Sequence, residues 1–109
     1  MRRMVLLAAL ALGIGLTGVG FAQQGGKNLK ILPKTITKPE IKKLMKGIAD
    51  SLGVQCDHCH DTDDMAKDTK HKIRAREMMT MTAALNKQYF QGKERVKCVT
   101  CHNGKAEPK

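Results

Sequence analysis

A five-residue pattern, Cys-x-x-Cys-His, occurs at residues 56–60 and again at 98–102, and the two copies use every cysteine of the chain. In a helical turn, positions three and four apart lie on one face, so two thiols and an imidazole converge on one object. The spacing is typical of c-type haem attachment, in which the cysteines bind the porphyrin edge and the histidine reaches the iron. We therefore predict two covalent haems. The residues are the thiols of Cys56, Cys59, Cys98 and Cys101 and the proximal iron ligands His60 and His102.

Three other kinds of site also use paired cysteines. A tetrahedral zinc site would take both pairs, but the gap between Cys59 and Cys98 exceeds the usual spacing and leaves the histidines without a role. A thioredoxin-like redox pair needs a βαβ pattern, which surrounds neither pair. Two ordinary disulfides are the plainest alternative in an exported protein.

Residues 1–22 have the features of a secretory signal peptide. Arg2 and Arg3 form a positive start, an apolar run covers 5–16, and small residues up to Ala22 offer a cleavage site. Cleavage there would remove 22 of 109 residues and leave 87 in the periplasm or another exported compartment, where c-type haem is attached. Without cleavage, the same stretch would act as an N-terminal membrane anchor.

The mature part is poor in large apolar side chains. It contains no tryptophan, and Tyr89 and Phe90 are its only tyrosine and phenylalanine. A chain of this size would build a thin core alone, and two haems would supply the missing apolar mass. We therefore expect one haem-centred dihaem domain at 37–109, after a flexible or extended leader at 23–36.

Lysine dominates the charge of the chain. The formal net charge is +10 and falls to +8 when Arg2 and Arg3 are removed. Such an excess steers a protein toward acidic redox partners or an anionic membrane surface. Nucleic acid is not an expected partner, because aromatic residues do not alternate with the basic ones as stacking platforms require.

Helical periodicity predicts a mostly α fold made of a repeated helix and haem-binding turn. Residues 37–40 match a capping box, and apolar residues then recur at helical spacing until Gly53, which is placed to end the helix. A second helix is predicted over about 68–90, and no segment shows strand alternation. The apolar stripe of this second helix consists of Ala75, Met78, Met81, Leu85 and Tyr89.

The second axial position of each iron has several candidates. Met45 lies on the stripe of the first helix, and a thioether opposite histidine raises the reduction potential of a haem. The candidates on the second helix are Met78, Met79 and Met81, and the remaining histidines are His58 and His71. Methionines on an apolar helix face are also ordinary core residues, so the residues alone leave this choice open.

The chain from 28 to 104 resembles the first two haem units of the tetrahaem cytochrome subunit of photosynthetic reaction centres. The matching segments are 28–32, Met45 with the first haem motif, 76–78 with Asn86, and 99–104. The resemblance implies that each haem packs parallel to a helix whose methionine is the sixth ligand. By position these ligands are Met45 for the first haem and Met78 for the second. The family has four haem motifs where this chain has two, so docking to a reaction centre is not implied.

Two six-coordinate irons leave no open site for a substrate, so we predict an electron carrier rather than an enzyme. If one iron lacked its sixth ligand, the chain would instead be a haem enzyme acting on peroxide or a nitrogen oxide. A third alternative is a subunit that docks electrons into a membrane complex.

Overall fold

The computed structural model describes residues 25–108, and the predicted signal peptide lies outside this range. Three α-helices and one 3₁₀ turn form the described part, with no strand among its residues. The helices are α1 (Lys38–Leu52), α2 (Lys70–Phe90) and α3 (Cys98–His102), and the 3₁₀ turn is Cys56–His58. The predicted mostly α fold is confirmed. Among the described helices, none combines the length and the apolar character that a membrane crossing needs.

The capping residues predicted for α1 define both of its ends. The Glu40 carboxylate accepts hydrogen bonds from the backbone N–H of Thr37 at 2.8 Å and from its hydroxyl at 2.7 Å. These bonds lower the pKa of Glu40, since they favour its charged form. At the other end Gly53 adopts the left-handed conformation, with φ at 64°, where a residue without a Cβ is favoured.

Helix α2 begins two residues later than predicted, because Thr69 serves as its N-cap. The Thr69 hydroxyl accepts a hydrogen bond from the backbone N–H of Lys72 at 3.2 Å, which is the usual role of threonine at this position. The predicted apolar stripe coincides only in part with the inner face of α2. Ala75, Met78 and Leu85 are half-buried, whereas Met81 is 45% exposed and Tyr89 is 65% exposed.

Asn86 is the one buried residue among those that the structure describes, with 8% of its surface exposed. Its amide nitrogen donates to the carbonyl oxygen of Val96 at 2.8 Å. Its amide oxygen accepts from the backbone N–H groups of Arg95 at 3.0 Å and Val96 at 2.8 Å. One α2 side chain therefore holds the connector that leads into the second Cys-x-x-Cys-His motif.

We expect Asn86→Ala to destabilise the folded protein by about 2–4 kcal/mol, because three hydrogen bonds to the backbone are lost and each contributes ~0.5–1.5 kcal/mol. Thermal unfolding monitored by circular dichroism measures the effect. The matched control is Gln88→Ala, an exposed position on the same helix, which should change stability by less than about 0.5 kcal/mol. If the two variants were equally stable, Asn86 would not be the anchor of this connector.

The end of α1 packs against α3 and ties the two units together. The backbone N–H of Gly104 donates to the carbonyl oxygen of Ser51 at 2.8 Å. Gly53 lies so close to the carbonyl of Gly104 that a Cβ built on Gly53 would be 2.1 Å from the oxygen. The helix that precedes the first motif thus supports the end of the second motif.

The described residues completely bury no apolar side chain. Several apolar residues of α1 and of the segment 25–32 instead face a cavity between α1 and α2. This arrangement agrees with the thin core that the composition predicts.

Candidate functional site

The cavity measures about 410 Å³, which is within the usual size range of ligand and cofactor pockets. Helix α1 lines it with Ile41, Met45 and Ile48, and the first motif lines it with Cys59 and His60. Residues 25–32 and the face of α2 that carries Ala75 and Met79 complete the lining. The two residues expected to bind the first iron, one predicted from the motif and one implied by the resemblance, therefore line the same mostly apolar cavity.

The histidines of the two motifs have the same hydrogen-bond arrangement. The Nδ1 of His60 is 3.1 Å from the carbonyl oxygen of Met65, and the Nδ1 of His102 is 2.9 Å from that of Lys105. A carbonyl oxygen only accepts, so each Nδ1 carries the hydrogen and each Nε2 has a lone pair for a metal. Metal-binding histidines usually donate their second ring N–H to a carboxylate, a backbone carbonyl or water, and this bond orients the ring.

The four cysteines are all unpaired thiols. Cys59 and Cys98 are half-buried, whereas Cys56 and Cys101 are exposed. Burial raises the pKa of the Cys59 thiol. The 3₁₀ turn and α3 carry separate pairs, and no cluster of three or more potential metal-binding side chains forms within residues 25–108. A zinc site built from both pairs requires their convergence, which this arrangement does not provide.

Met78 and Met79 lie on different sides of α2. Met79 lines the cavity together with Met45, whereas Met78 is half-buried and does not belong to the lining. Consecutive helical residues point about 100° apart, so only one of them can face the first motif. The place of Met78 outside the cavity is compatible with a ligand for the second iron, which is the role that the resemblance implies.

His58 and His71 form a contact that the sequence did not predict. Their rings stack with centroids 4.3 Å apart and planes inclined by 18°. The Nδ1 of His71 donates to the carbonyl oxygen of His58 at 2.7 Å, and the hydroxyl of Thr69 donates to the carbonyl oxygen of Cys59. His71 does not line the cavity. The start of α2 therefore positions the first motif, and His71 contributes to this rather than facing the iron-binding side.

The acidic loop after the first motif contributes Asp63 and Asp64 to the cavity lining. Asp61 pairs with Lys67 at 2.8 Å, and this hydrogen-bonded partner lowers the pKa of Asp61. A carboxyl group with a lowered pKa stays ionised near neutral pH and holds no proton to donate, which argues against Asp61 as the general acid of an enzyme.

The second motif forms the short helix α3. The hydroxyl of Thr100 accepts a hydrogen bond from the backbone N–H of Lys97 at 2.9 Å, and Asn103 ends the helix with φ at 48°. His102 is half-buried, while Val99 beside it is 46% exposed. A smaller cavity of about 200 Å³ near the end of α2 contains none of the predicted ligands.

The donor set of the larger cavity fits a covalently attached haem. A thioether, a thiol and an imidazole with an available Nε2 line one mostly apolar space. A c-type haem held here would use Cys59 for attachment and His60 and Met45 as iron ligands. Cys56, the other thiol of the first motif, is exposed and does not line the cavity.

Comparisons with known proteins identify a matching family model and a similar protein. A family model described as the photosynthetic reaction centre cytochrome C subunit matches residues 17–109. Cytochrome c-554 of Chloroflexus aurantiacus is 35% identical over 63 residues, which are 51% of this chain and 15% of that relative. The chain thus corresponds to a small part of the relative's length. No solved structure matches the chain.

Proposed function

The chain belongs to the photosynthetic reaction centre cytochrome C subunit family, and we propose that it is an exported electron carrier with two covalently bound haems. The family resemblance predicted from residues 28–104 is confirmed. Membership supports covalent haem c, a role in electron transport and redox partner proteins. The haem number, the axial ligands and the exported location are our proposals.

The observation that carries the proposal is the equivalent state of His60 and His102. Both rings donate from Nδ1 to a backbone carbonyl oxygen that follows in the chain, so both present Nε2. Each histidine directly follows a Cys-x-x-Cys pair. Because both imidazoles present Nε2 in the same way, we infer that each of them is the proximal ligand of a haem iron.

We assign Met45 to the first iron because the family resemblance implies it and because it lines the cavity that also contains His60. Met79 lines the same cavity, so the resemblance decides between them. We assign Met78 to the second iron from the family resemblance alone. When bound, haem iron supplies one-electron exchange between its ferrous and ferric states. The residues of the chain would orient the ring, and Ile41 and Ile48, which line the cavity, would limit the access of water.

The face of α1 opposite the cavity supports a docking role toward acidic redox partners. Its exposed side chains include Lys42, Lys43 and Lys46, of which Lys46 pairs with Asp50 at 2.7 Å. The opposite face of the same helix carries Met45 into the cavity. A positive surface near the cofactor raises the rate of encounter with acidic proteins at low ionic strength. An anionic membrane surface would attract the same lysines by the same electrostatic interaction.

Carbon monoxide binding to the reduced protein tests this function. We expect the native protein to bind it slowly or not at all, since both irons hold a sixth ligand. Met45→Ala should make one of the two haems bind it rapidly, with a corresponding change in the visible spectrum.

The control for that experiment is Met81→Ala, because Met81 is 45% exposed and does not line the cavity. It should leave the spectrum of the first haem unchanged. An unchanged spectrum of Met45→Ala would exclude Met45 as the ligand. Rapid binding by the native protein would favour the alternative of a haem enzyme with an open iron.

A further inference from the structure

Asp68 joins the segment 25–32 to helix α2. Its carboxylate accepts from Lys30 at 2.6 Å, from Arg76 at 2.7 Å and from the side-chain amide of Asn28 at 2.8 Å. Arg76 also donates to the carbonyl oxygen of Asn28 at 3.0 Å. The hydrogen bonds from Lys30 and Arg76 hold the pKa of Asp68 well below its ordinary range. Asp68 is therefore ionised and fixes the position of Arg76.

Three positively charged side chains lie near the single carboxylate of Asp68, namely Lys30, Lys72 and Arg76. Arg76 and Lys72 are largely buried, with 16% and 13% of their side chains exposed. The ammonium of Lys72 is 3.9 Å from Asp68 and donates instead to the carbonyl oxygens of residues 65–67. Burial is the main cause, with the nearby Arg76 charge, of a lowered pKa of Lys72. An additional anion would stabilise these partly desolvated charges.

Lys72 and Arg76 both line the cavity that contains His60 and Met45. The charged residues of this lining are Lys27, Lys30, Lys72 and Arg76, against Asp63 and Asp64. Cations are thus in excess on a lining that is otherwise mostly apolar. Two of the five guanidinium hydrogens of Arg76 are used in the contacts with Asp68 and Asn28, and the remaining ones are available to a carboxylate.

We propose that Arg76 binds a propionate carboxylate of the first haem, with Lys72 adding positive charge and Asp68 holding the guanidinium in place. This inference rests on the proposed function, because it requires a haem in the cavity. Arginine suits the role because its planar donors bind a carboxylate in a bidentate manner. The three ammonium hydrogens of Lys72 already bind carbonyl oxygens, so its contribution is through charge.

Reduction potentials of three variants separate this role from a purely structural one. Arg76→Gln removes a positive charge and should lower the midpoint potential of the first haem, with a change of about tenfold in the redox equilibrium, or ~59 mV for one electron. Asp68→Asn removes a negative charge and should raise that potential. The matched control is Arg74→Gln, because Arg74 is 72% exposed and pairs with Glu77 at the surface. It should leave the potential nearly unchanged.

If the cluster served only to hold the segment 25–32, Arg76→Gln and Asp68→Asn would loosen the same contact and shift the potential in the same direction. That result would overturn the proposal. Redox-difference infrared spectra then distinguish direct binding from a charge acting at a distance. The propionate carboxylate bands should change in Arg76→Gln and in Arg76→Lys, which keeps the charge but loses the bidentate geometry.

Unchanged carboxylate bands in both Arg76 variants would also contradict the proposal. If Arg76→Gln failed to fold, the carboxylate bands of Arg76→Lys and the midpoint potential of Asp68→Asn would still test the proposal. The mass of the native protein keeps the two hypotheses apart. A native protein without haem refutes the proposed function, whereas a native dihaem protein whose variants lack these effects refutes only the propionate site.

Discussion

Replacement of Cys98 and Cys101 together by alanine is expected to give a protein with one covalent haem instead of two. The variant removes both thiols of the second motif, so His102 alone cannot attach a haem covalently. The first haem should remain, because the cavity that contains Cys59 and His60 includes no residue of the second motif. Intact mass spectrometry of the denatured protein measures the number of attached haems directly.

Two comparisons make this experiment decisive. Val99→Ala is the matched control, since Val99 lies within the same short helix and is 46% exposed, and it should keep both haems. The reciprocal variant Cys56→Ala with Cys59→Ala should keep only the second haem. A double variant at 98 and 101 that still carries two haems would refute the attachment sites. A colourless native protein with zinc or disulfides would refute the electron-carrier proposal itself.

Gly53→Ala is expected to destabilise the protein by about 2–5 kcal/mol. The left-handed conformation of this residue, with φ at 64°, costs an alanine ~1–2 kcal/mol. The Cβ would also lie 2.1 Å from the carbonyl oxygen of Gly104, and relief of such a contact by backbone shifts costs a further ~1–3 kcal/mol. The contact between α1 and α3 should therefore weaken, and thermal unfolding of the holoprotein measures the loss.

Substitutions at two other glycines separate the effect of the left-handed conformation from that of the close contact with Gly104. Gly47 lies inside α1 and a Cβ there meets nothing within 4 Å, so Gly47→Ala should stabilise the helix by ~0.5–1 kcal/mol. Gly92 has φ at 78° and also has open space around it, so Gly92→Ala reports the conformational strain alone. If Gly53→Ala cost no more than Gly92→Ala, the close approach of α1 and α3 would not contribute to stability.

The sequence predicts the parts of this fold that depend on neighbouring residues. A capping box involves residues within one helical turn, which is why the start of α1 at Thr37 and Glu40 follows from the sequence. Gly53 ends α1 for an equally local reason. The two haem motifs are local as well, since each needs only five consecutive residues. Helix periodicity then indicates where α2 lies, to within two residues at its start.

The inner face of α2 follows only from the tertiary structure. The apolar pattern favoured Met81 and Tyr89, yet both are exposed, while Met79 and the charged Lys72 and Arg76 line the cavity. Apolar periodicity assigns charged residues to the solvent-exposed face of a helix, so it does not predict that they line a cavity. Their place in the cavity depends on Asp68 and on the segment 25–32.

The sequence by itself therefore determined the positions of α1 and α2 and the ends of α1, and it predicts haem attachment at the two motifs. The tertiary structure decided which α2 side chains face the first motif, and it revealed the stacked histidines and the cation cluster. The physical reason is distance along the chain. The contacts of Asn28 with Ala66, with Asp68 and with Arg76 join residues 38 to 48 positions apart, and no local pattern encodes such pairings.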